Sequence, residues 1–224
     1  MSFADHTVAG FLTALGSDAP TPGGGTGAAV VGAAGASLVR MLAMLTVGRP
    51  KFAAAEATMQ AVAAQAGENA QRLLALADAD AKAYDAVSAA MKLPKATEAE
   101  QAARKAAIQA ALKGAIEPPL RVMELCLDTI SLAKLAVAQG NPNAVSDGAA
   151  GAEFARSAMN VAAYNVRINL VGVTDEKYAK DMRTRLDEMV YMGSTAAAEI
   201  DSRVQDLWKP KPKTPPPAPG AARA

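Results

Sequence analysis

The stretch "PTPGGGTGAAVVGAAGASLVRMLAMLT", Pro20 to Thr46, decides the fold. Three consecutive glycines carry a high backbone entropy cost. Pro20 and Pro22 fix φ and withhold two amide donors just ahead of them. From Thr26 to about Thr46 the residues read as a buried helix. Ala28, Gly32 and Ala36 recur every four residues, as do Ala29 and Ala33. Small side chains on one face let another helix approach closely, either in the core or across a subunit contact.

The flanking segments are helical too. In "TVAGFLTALG", Val8, Phe11, Leu12 and Leu15 fall at i, i+3, i+4 and i+7, a short amphipathic helix ended by Gly16. A long helical pattern runs from about Phe52 to Met91 and stops at Pro94. Thr97 and Glu100 have capping-box spacing for the next helix. It should run to about Gln139, with a kink at Pro118-Pro119. Gly140 and "NPN" end it. Ser146 or Asp147 then caps a helix to about Leu170, and Thr174 or Asp175 caps a last one to about Leu207. No segment alternates as a strand. The expected fold class is all-α, an up-and-down bundle of long helices. It occupies residues 1–208. From Lys209, "KPKPKTPPPAPGAARA" is too rich in proline to pack, so a disordered or polyproline tail is expected over 209–224.

Composition excludes several classes of function. Lys+Arg is 23 and Asp+Glu is 22, a balance that points to neither nucleic acid nor a membrane surface. His6 and Cys126 are the only residues of their kinds, so a metal site built on histidine and cysteine is nearly excluded. The same scarcity argues against a Ser-His-Asp relay. No charged-then-apolar leader opens the chain. The longest apolar stretch, Ala28 to Val39, is about half of a bilayer span. A cytoplasmic protein is expected, in a reducing compartment.

The glycine stretch before a helix suits an anion or a flat ligand, through open backbone N–H groups and the helix dipole. It is no P-loop, because no Lys-Ser/Thr pair follows the glycines. A tight interhelical turn is its plainer reading. In "DADAKAYDAV", Asp80 and Tyr84 share a helix face, and a buried Asp80 needs a partner. A solvated face is the alternative. Lys95 follows a helix end, where it can simply complement the dipole, and Asp147 can be an ordinary N-cap. In "YNVRINL", Asn165 and Asn169 lie one turn apart among apolar neighbours. They are either an internal hydrogen-bonded pair or a reading edge for a ligand.

Five segments, "APTPGGGTGAA", "LTVGRPKF", "DAKAYDAVSAAMKLPK", "NPNAVSDGAAGA" and "NVRINL", occur in an order that resembles the formiminotransferase-cyclodeaminase C-terminal family. That family includes formimidoyltetrahydrofolate cyclodeaminase and stand-alone methenyltetrahydrofolate cyclohydrolases. The resemblance covers about Val8 to Leu207. Thr26 stands where the family often has Ser, Tyr84 where it often has Phe, and Gly48 to Lys51 replace a more lysine-rich run.

The resemblance implies a homodimeric helical bundle acting on a small-molecule folate, without a further cofactor or metal. It implies hydrolysis of 5,10-methenyltetrahydrofolate to 10-formyltetrahydrofolate. The alternatives are ammonia-releasing ring closure of formimidoyltetrahydrofolate, or a non-catalytic folate-binding or structural dimer. The chain has no room for a fused formiminotransferase domain, which tilts the expectation toward the cyclohydrolase. Asp80 and Asp147 are the candidate catalytic acids, with Lys95 as proton donor or orienting charge. Thr21, Pro22, Gly23, Gly24 and Gly25 would lie against the folate beside Tyr84. Asn165 and Asn169 would read the pterin edge. Arg40, Arg49, Lys51 or Arg167 would meet the glutamate tail.

Overall fold

The computed structural model describes residues 2–209. The Pro-rich tail expected from Lys209 onward therefore lies, from residue 210, outside the described residues. Six α-helices occur among the described residues: α1 Val8–Leu15, α2 Gly24–Met44, α3 Glu56–Met91, α4 Glu98–Gln139, α5 Val145–Val171 and α6 Glu176–Trp208. Short 3₁₀ turns occupy Phe3–Asp5, Pro50–Ala55 and Pro142–Ala144. No strand occurs among the described residues.

Side-chain caps account for three of the six α-helix starts among the described residues, those of α1, α4 and α6. Thr97 accepts from the Glu100 amide at 3.2 Å, and the Glu100 carboxylate accepts from the Thr97 amide at 3.0 Å, a complete capping box for α4. Of the two residues proposed to cap α6, Asp175 does so, accepting from the Tyr178 amide at 3.0 Å. Three starts differ from expectation, the first being α3, which begins at Glu56 rather than near Phe52, behind the 3₁₀ turn Pro50–Ala55. Helix α2 begins two residues early, so Gly24 and Gly25 form its first turn and Gly23 is a cap with no side chain. Helix α5 begins at Val145, behind Ala144, with neither Ser146 nor Asp147 as its cap. The reason is Asn141, whose side chain accepts from the Asn143 amide at 3.1 Å and starts the 3₁₀ turn that feeds directly into α5. Asp147 sits in the first turn instead, where a carboxylate complements the helix dipole. Helix α4 continues through both buried prolines.

Close contacts fix how the helices lie. Leu42 meets Gly148, Gly35 meets Gly151, Gly32 meets Ala158 and Gly24 meets Asn165. The paired numbers run in opposite directions, so α2 and α5 are antiparallel. The same holds for α2 and α3, where Thr26 meets Asp80, Gly32 meets Leu73 and Arg40 meets Gly67. Helices α3 and α4 join through fully buried Asn69, whose Nδ2 donates to Asp128 at 2.7 Å. Helices α2 to α5 thus form an up-down-up-down bundle. Helix α6 runs beside α4 and α5, tied by Lys113–Asp175 at 2.8 Å and Lys134–Glu199 at 2.5 Å.

Helix α2 has 21 residues and a window of mean hydropathy 1.6, long and apolar enough by length and composition to cross a membrane. That revises the expectation drawn from Ala28 to Val39 alone. In the fold, half of that window is buried inside the bundle, against α3 and α5. Its small residues decide the approach. A Cβ at Gly35 would lie 2.8 Å from the Gly151 carbonyl oxygen, and one at Gly151 would lie 2.7 Å from that of Gly35.

These contacts predict opposite outcomes for two Gly→Ala changes. Gly35→Ala should destabilise, because overpacking against backbone costs about 1–3 kcal/mol, exceeding the helix-propensity gain. Gly114→Ala, on the exposed side of α4 with nothing within 4 Å of its Cβ, should stabilise by about 0.5–1 kcal/mol. Urea unfolding of both variants measures this. A Gly35→Ala protein as stable as the parent contradicts the packing described.

Candidate active site at the start of helix α2

The first turn of α2 leaves backbone amides without partners in their own helix. Gly23 supplies no capping side chain, and Asp80 reaches in from α3 instead. Its Oδ2 accepts from Thr26 Oγ1 at 3.0 Å, and the Thr26 amide also donates to the carboxylate. Gly25 is required by space rather than by φ: a Cβ there would lie 2.3 Å from Asp80 Oδ1. Burial raises the proton affinity of Asp80 above that of an ordinary carboxyl, and the two Thr26 bonds oppose that shift only in part. Asp80 is therefore neither a solvated surface acid nor an ion-paired one.

The two asparagines face this carboxylate from α5. Asn165 Nδ2 donates to the Val161 carbonyl at 2.9 Å. Asn169 Nδ2 donates to the Ala115 carbonyl on α4 at 3.0 Å. That carbonyl is free because its helical partner would be the amide of Pro119, which has none. They do not pair with each other. Because both Nδ2 atoms donate to carbonyls, the amide orientations are fixed and both Oδ1 atoms remain as acceptors.

These groups line one cavity of about 410 Å³. Of the residues singled out from the sequence, Thr21, Gly23, Gly24, Gly25, Asp80, Tyr84, Asn165 and Asn169 line it. Pro22 is buried behind them. The structure does not bring the others in. Asp147 precedes Asn165 by 18 residues on the same helix, about 27 Å at 1.5 Å per residue. Within one chain it belongs to the opposite end of the bundle. Arg167 pairs with Asp187 of α6 at 2.8 Å. Arg40 lies across Gly67, and Lys51 lies over the Phe52 ring at 5.6 Å, so neither reaches the cavity. Arg49 is not at its wall. Lys95 lines a neighbouring cavity instead.

The sequence reading missed the apolar walls. Ala83, Val87 and Met91 of α3, Leu112 and Ala115 of α4, and Ile168 of α5, together with Pro20, complete the lining. Ile168 is 68% exposed, a large aliphatic side chain at the cavity mouth. Its signal was present in "NVRINL", where it sits between the two asparagines. A second, larger cavity of about 500 Å³ lies under α1, lined by Phe3, Phe11, Leu12, Val31, Leu74 and others. Its wall is nearly all apolar and holds no carboxylate, with His6 as its one titratable side chain.

Residues 7–188 match the formiminotransferase-cyclodeaminase family model. The chain belongs to the formiminotransferase-cyclodeaminase family. It is 38% identical over 207 residues to the methenyltetrahydrofolate cyclohydrolase of Methylorubrum extorquens, covering 92% of this chain and 98% of that one. It is 32% identical over 199 residues to the formimidoyltransferase-cyclodeaminase of Rattus norvegicus, covering 89% of this chain but 37% of that longer protein. The crystal structure of formiminotetrahydrofolate cyclodeaminase from Thermotoga maritima superposes with a TM-score of 0.82 at 26% identity, covering 91% of this chain and 98% of that one. Three of the five family-like segments, holding the glycines, Asp80 and the asparagine pair, converge on the cavity. "LTVGRPKF" and "NPNAVSDGAAGA" lie at the other end of the bundle, where Asn141 Nδ2 donates to the Leu45 carbonyl at 3.2 Å.

The Asp80 environment predicts a definite pH dependence. Its pKa in the folded chain lies above the ordinary value of 3.8. The folded chain therefore binds more protons than the unfolded one between those two values. The resulting stability is fully present below 3.8 and is lost as pH rises through the folded pKa. The stability of the parent relative to Asp80→Asn should fall as pH rises through this window, read as urea midpoints. A difference that stays flat or grows with pH contradicts the placement of Asp80.

Proposed function

We propose that this protein is a methenyltetrahydrofolate cyclohydrolase, converting 5,10-methenyltetrahydrofolate to 10-formyltetrahydrofolate. The observation that carries the reading is the Asp80 carboxylate. It is held on the first turn of α2, with raised proton affinity, in a cavity walled by amide oxygens and apolar side chains. The identity to a cyclohydrolase along almost the whole of both chains supports it.

The substrate carries an amidinium-like cation across N5 and N10, and its bridging carbon is electrophilic. The Asp80 carboxylate attracts that cation and takes a proton from the attacking water. A C–O bond forms at the bridging carbon. The C–N5 bond then breaks, its electron pair goes to N5, and N5 takes a proton. The formyl group stays on N10, and one proton is released overall. The raised proton affinity makes Asp80 a stronger base than an exposed aspartate, while Thr26 Oγ1 fixes which oxygen faces the water. The free Oδ1 atoms of Asn165 and Asn169 match the N–H donors of a reduced pterin edge. Tyr84, Met91 and Ile168 supply the apolar surface that a flat ring system covers.

A second reading is formimidoyltetrahydrofolate cyclodeaminase, favoured by the likeness to the Thermotoga maritima protein. There N10 attacks the formimino carbon and ammonia leaves, forming the same methenyl bridge. Asp80 would serve that reaction as well. The proposal extends to a cytoplasmic, dimeric protein. Buried, free Cys126 suits a reducing compartment. The exposed Val8, Val31, Met41 and Phe154 offer apolar surface to a second copy.

The purified chain should bleach methenyltetrahydrofolate absorbance catalytically and release little ammonia from formimidoyltetrahydrofolate. Asp80→Asn should remain helical and lose at least ~100-fold in kcat, the usual scale for removing a general base. Rapid ammonia release with no hydrolysis would favour the second reading. Turnover by Asp80→Asn at the parent rate removes Asp80 from the chemistry.

A further inference from the structure

Helix α4 holds two consecutive prolines in its interior, Pro118 and Pro119, both buried. Each lacks the amide that would close the helical bond four residues back, and each ring pushes that residue's carbonyl aside. The two freed carbonyls have different fates. Pro118 frees that of Gly114, an exposed residue with nothing within 4 Å of where its side chain would begin. Pro119 frees that of Ala115, which is buried and lines the candidate site. A buried carbonyl with no partner is costly. Asn169 Nδ2 supplies the partner, at 3.0 Å.

The two asparagines of the site are therefore held differently. Asn165 Nδ2 donates to the Val161 carbonyl of its own helix. That carbonyl is also the helical acceptor of the Asn165 backbone amide, so it is shared. Asn169 reaches across to α4 and meets a carbonyl with no helical claim on it. A carbonyl in a regular helix points along the axis toward the amide four residues on. One displaced by a proline ring is open from the side, where α5 lies.

This contact sets the polarity of the Asn169 amide. Turned over, its Oδ1 would face the Ala115 oxygen, two acceptors in contact, and the carbonyl would lose its partner. With Nδ2 committed to Ala115, Oδ1 is the end left for a ligand, and no hydrogen bond takes it among the described residues.

We propose that Pro119 is a positioning residue for substrate binding. It acts through the Ala115 carbonyl to keep Asn169 an acceptor, so that the site selects a ligand edge presenting an N–H donor there. Pro119 itself is not in the cavity wall. The proposal rests on the folate reading for the identity of that edge, and goes beyond it in naming what decides the polarity of the amide. Pro118, with the same chemistry one residue earlier, has no such role.

The test uses the full chain with Pro119→Ala and Pro119→Val, the second keeping more of the buried volume. Each restores an amide that draws the Ala115 carbonyl back into the helix ladder. KM for methenyltetrahydrofolate should rise about 3–10-fold in both, the scale of one hydrogen bond. kcat should not change, because Asp80 and Thr26 stand on α3 and α2. Pro118→Ala should leave KM as it is. In an Asn169→Ala background, Pro119→Ala should raise KM no further, since it acts only through Asn169. A second readout needs no folate: the nuclear magnetic resonance signal of Asn169 Nδ2, assigned by its loss in Asn169→Ala, should shift in Pro119→Val and stay in place in Pro118→Ala. That shift, in a parent chain that turns over no folate, upholds the anchoring and refutes the folate reading. Turnover with KM unaltered in both Pro119 variants refutes the proposal and leaves the reaction standing. An equal rise in KM from Pro118→Ala, or a further rise in the Asn169→Ala background, overturns it as well.

Discussion

Backbone contact between α2 and α5 sets the geometry of the rest of the molecule. At Gly35 and Gly151 each carbonyl lies where the other residue's side chain would begin. Interior packing this dense leaves no room for a methyl group on either helix. The contact fixes a register that continues in both directions, to Leu42 against Gly148 and to Gly24 against Asn165. The position of the asparagine pair relative to the first turn of α2 therefore follows from a contact eleven residues away on α2.

The same register between α2 and α3 places Asp80 against the open amides of α2. Two demands meet at that carboxylate. The helix terminus needs an acceptor, and burial disfavours the ionised form. The outcome is an acid that holds a fixed position yet keeps a raised proton affinity. A residue serving only as a cap would gain nothing from the adjoining cavity. On α4, Pro119 leaves the Ala115 carbonyl free and Asn169 takes it, so a helix defect orients an amide at the cavity wall. Structural and candidate catalytic roles here are carried by the same hydrogen bonds.

Much of this was legible in the sequence because it is local. Helical periodicity and the cap residues Thr97, Glu100 and Asp175 specify where elements begin, and the stripe from Ala28 to Ala36 specifies a close helix neighbour. Asp80, Tyr84, Asn165 and Asn169 stood out as polar residues in apolar patterns, and they converge in space. What was not legible depends on distance along the bundle. Asp147 and Asn165 are on one helix, and only its length shows that they occupy opposite ends. Arg167 finds Asp187 because α6 runs beside α5, a pairing no motif encodes. Gly24 and Gly25 looked like a loop, since nothing local reveals that Asp80 arrives from α3 to cap their turn. Ile168 and Met91 resemble core residues by periodicity, although they border a cavity.

The central claim is that the folate ring lies between the first turn of α2, Asp80 and the asparagine pair. A crystal structure of the chain with 5-formyltetrahydrofolate, which is not turned over by simple hydrolysis of a methenyl bridge, locates the ring directly. The account predicts the pterin in the cavity of about 410 Å³, its N–H edge on Asn165 and Asn169 and its N5 side toward Asp80. A pterin seated in the apolar cavity under α1, or at the end of the bundle that holds Asp147, contradicts it.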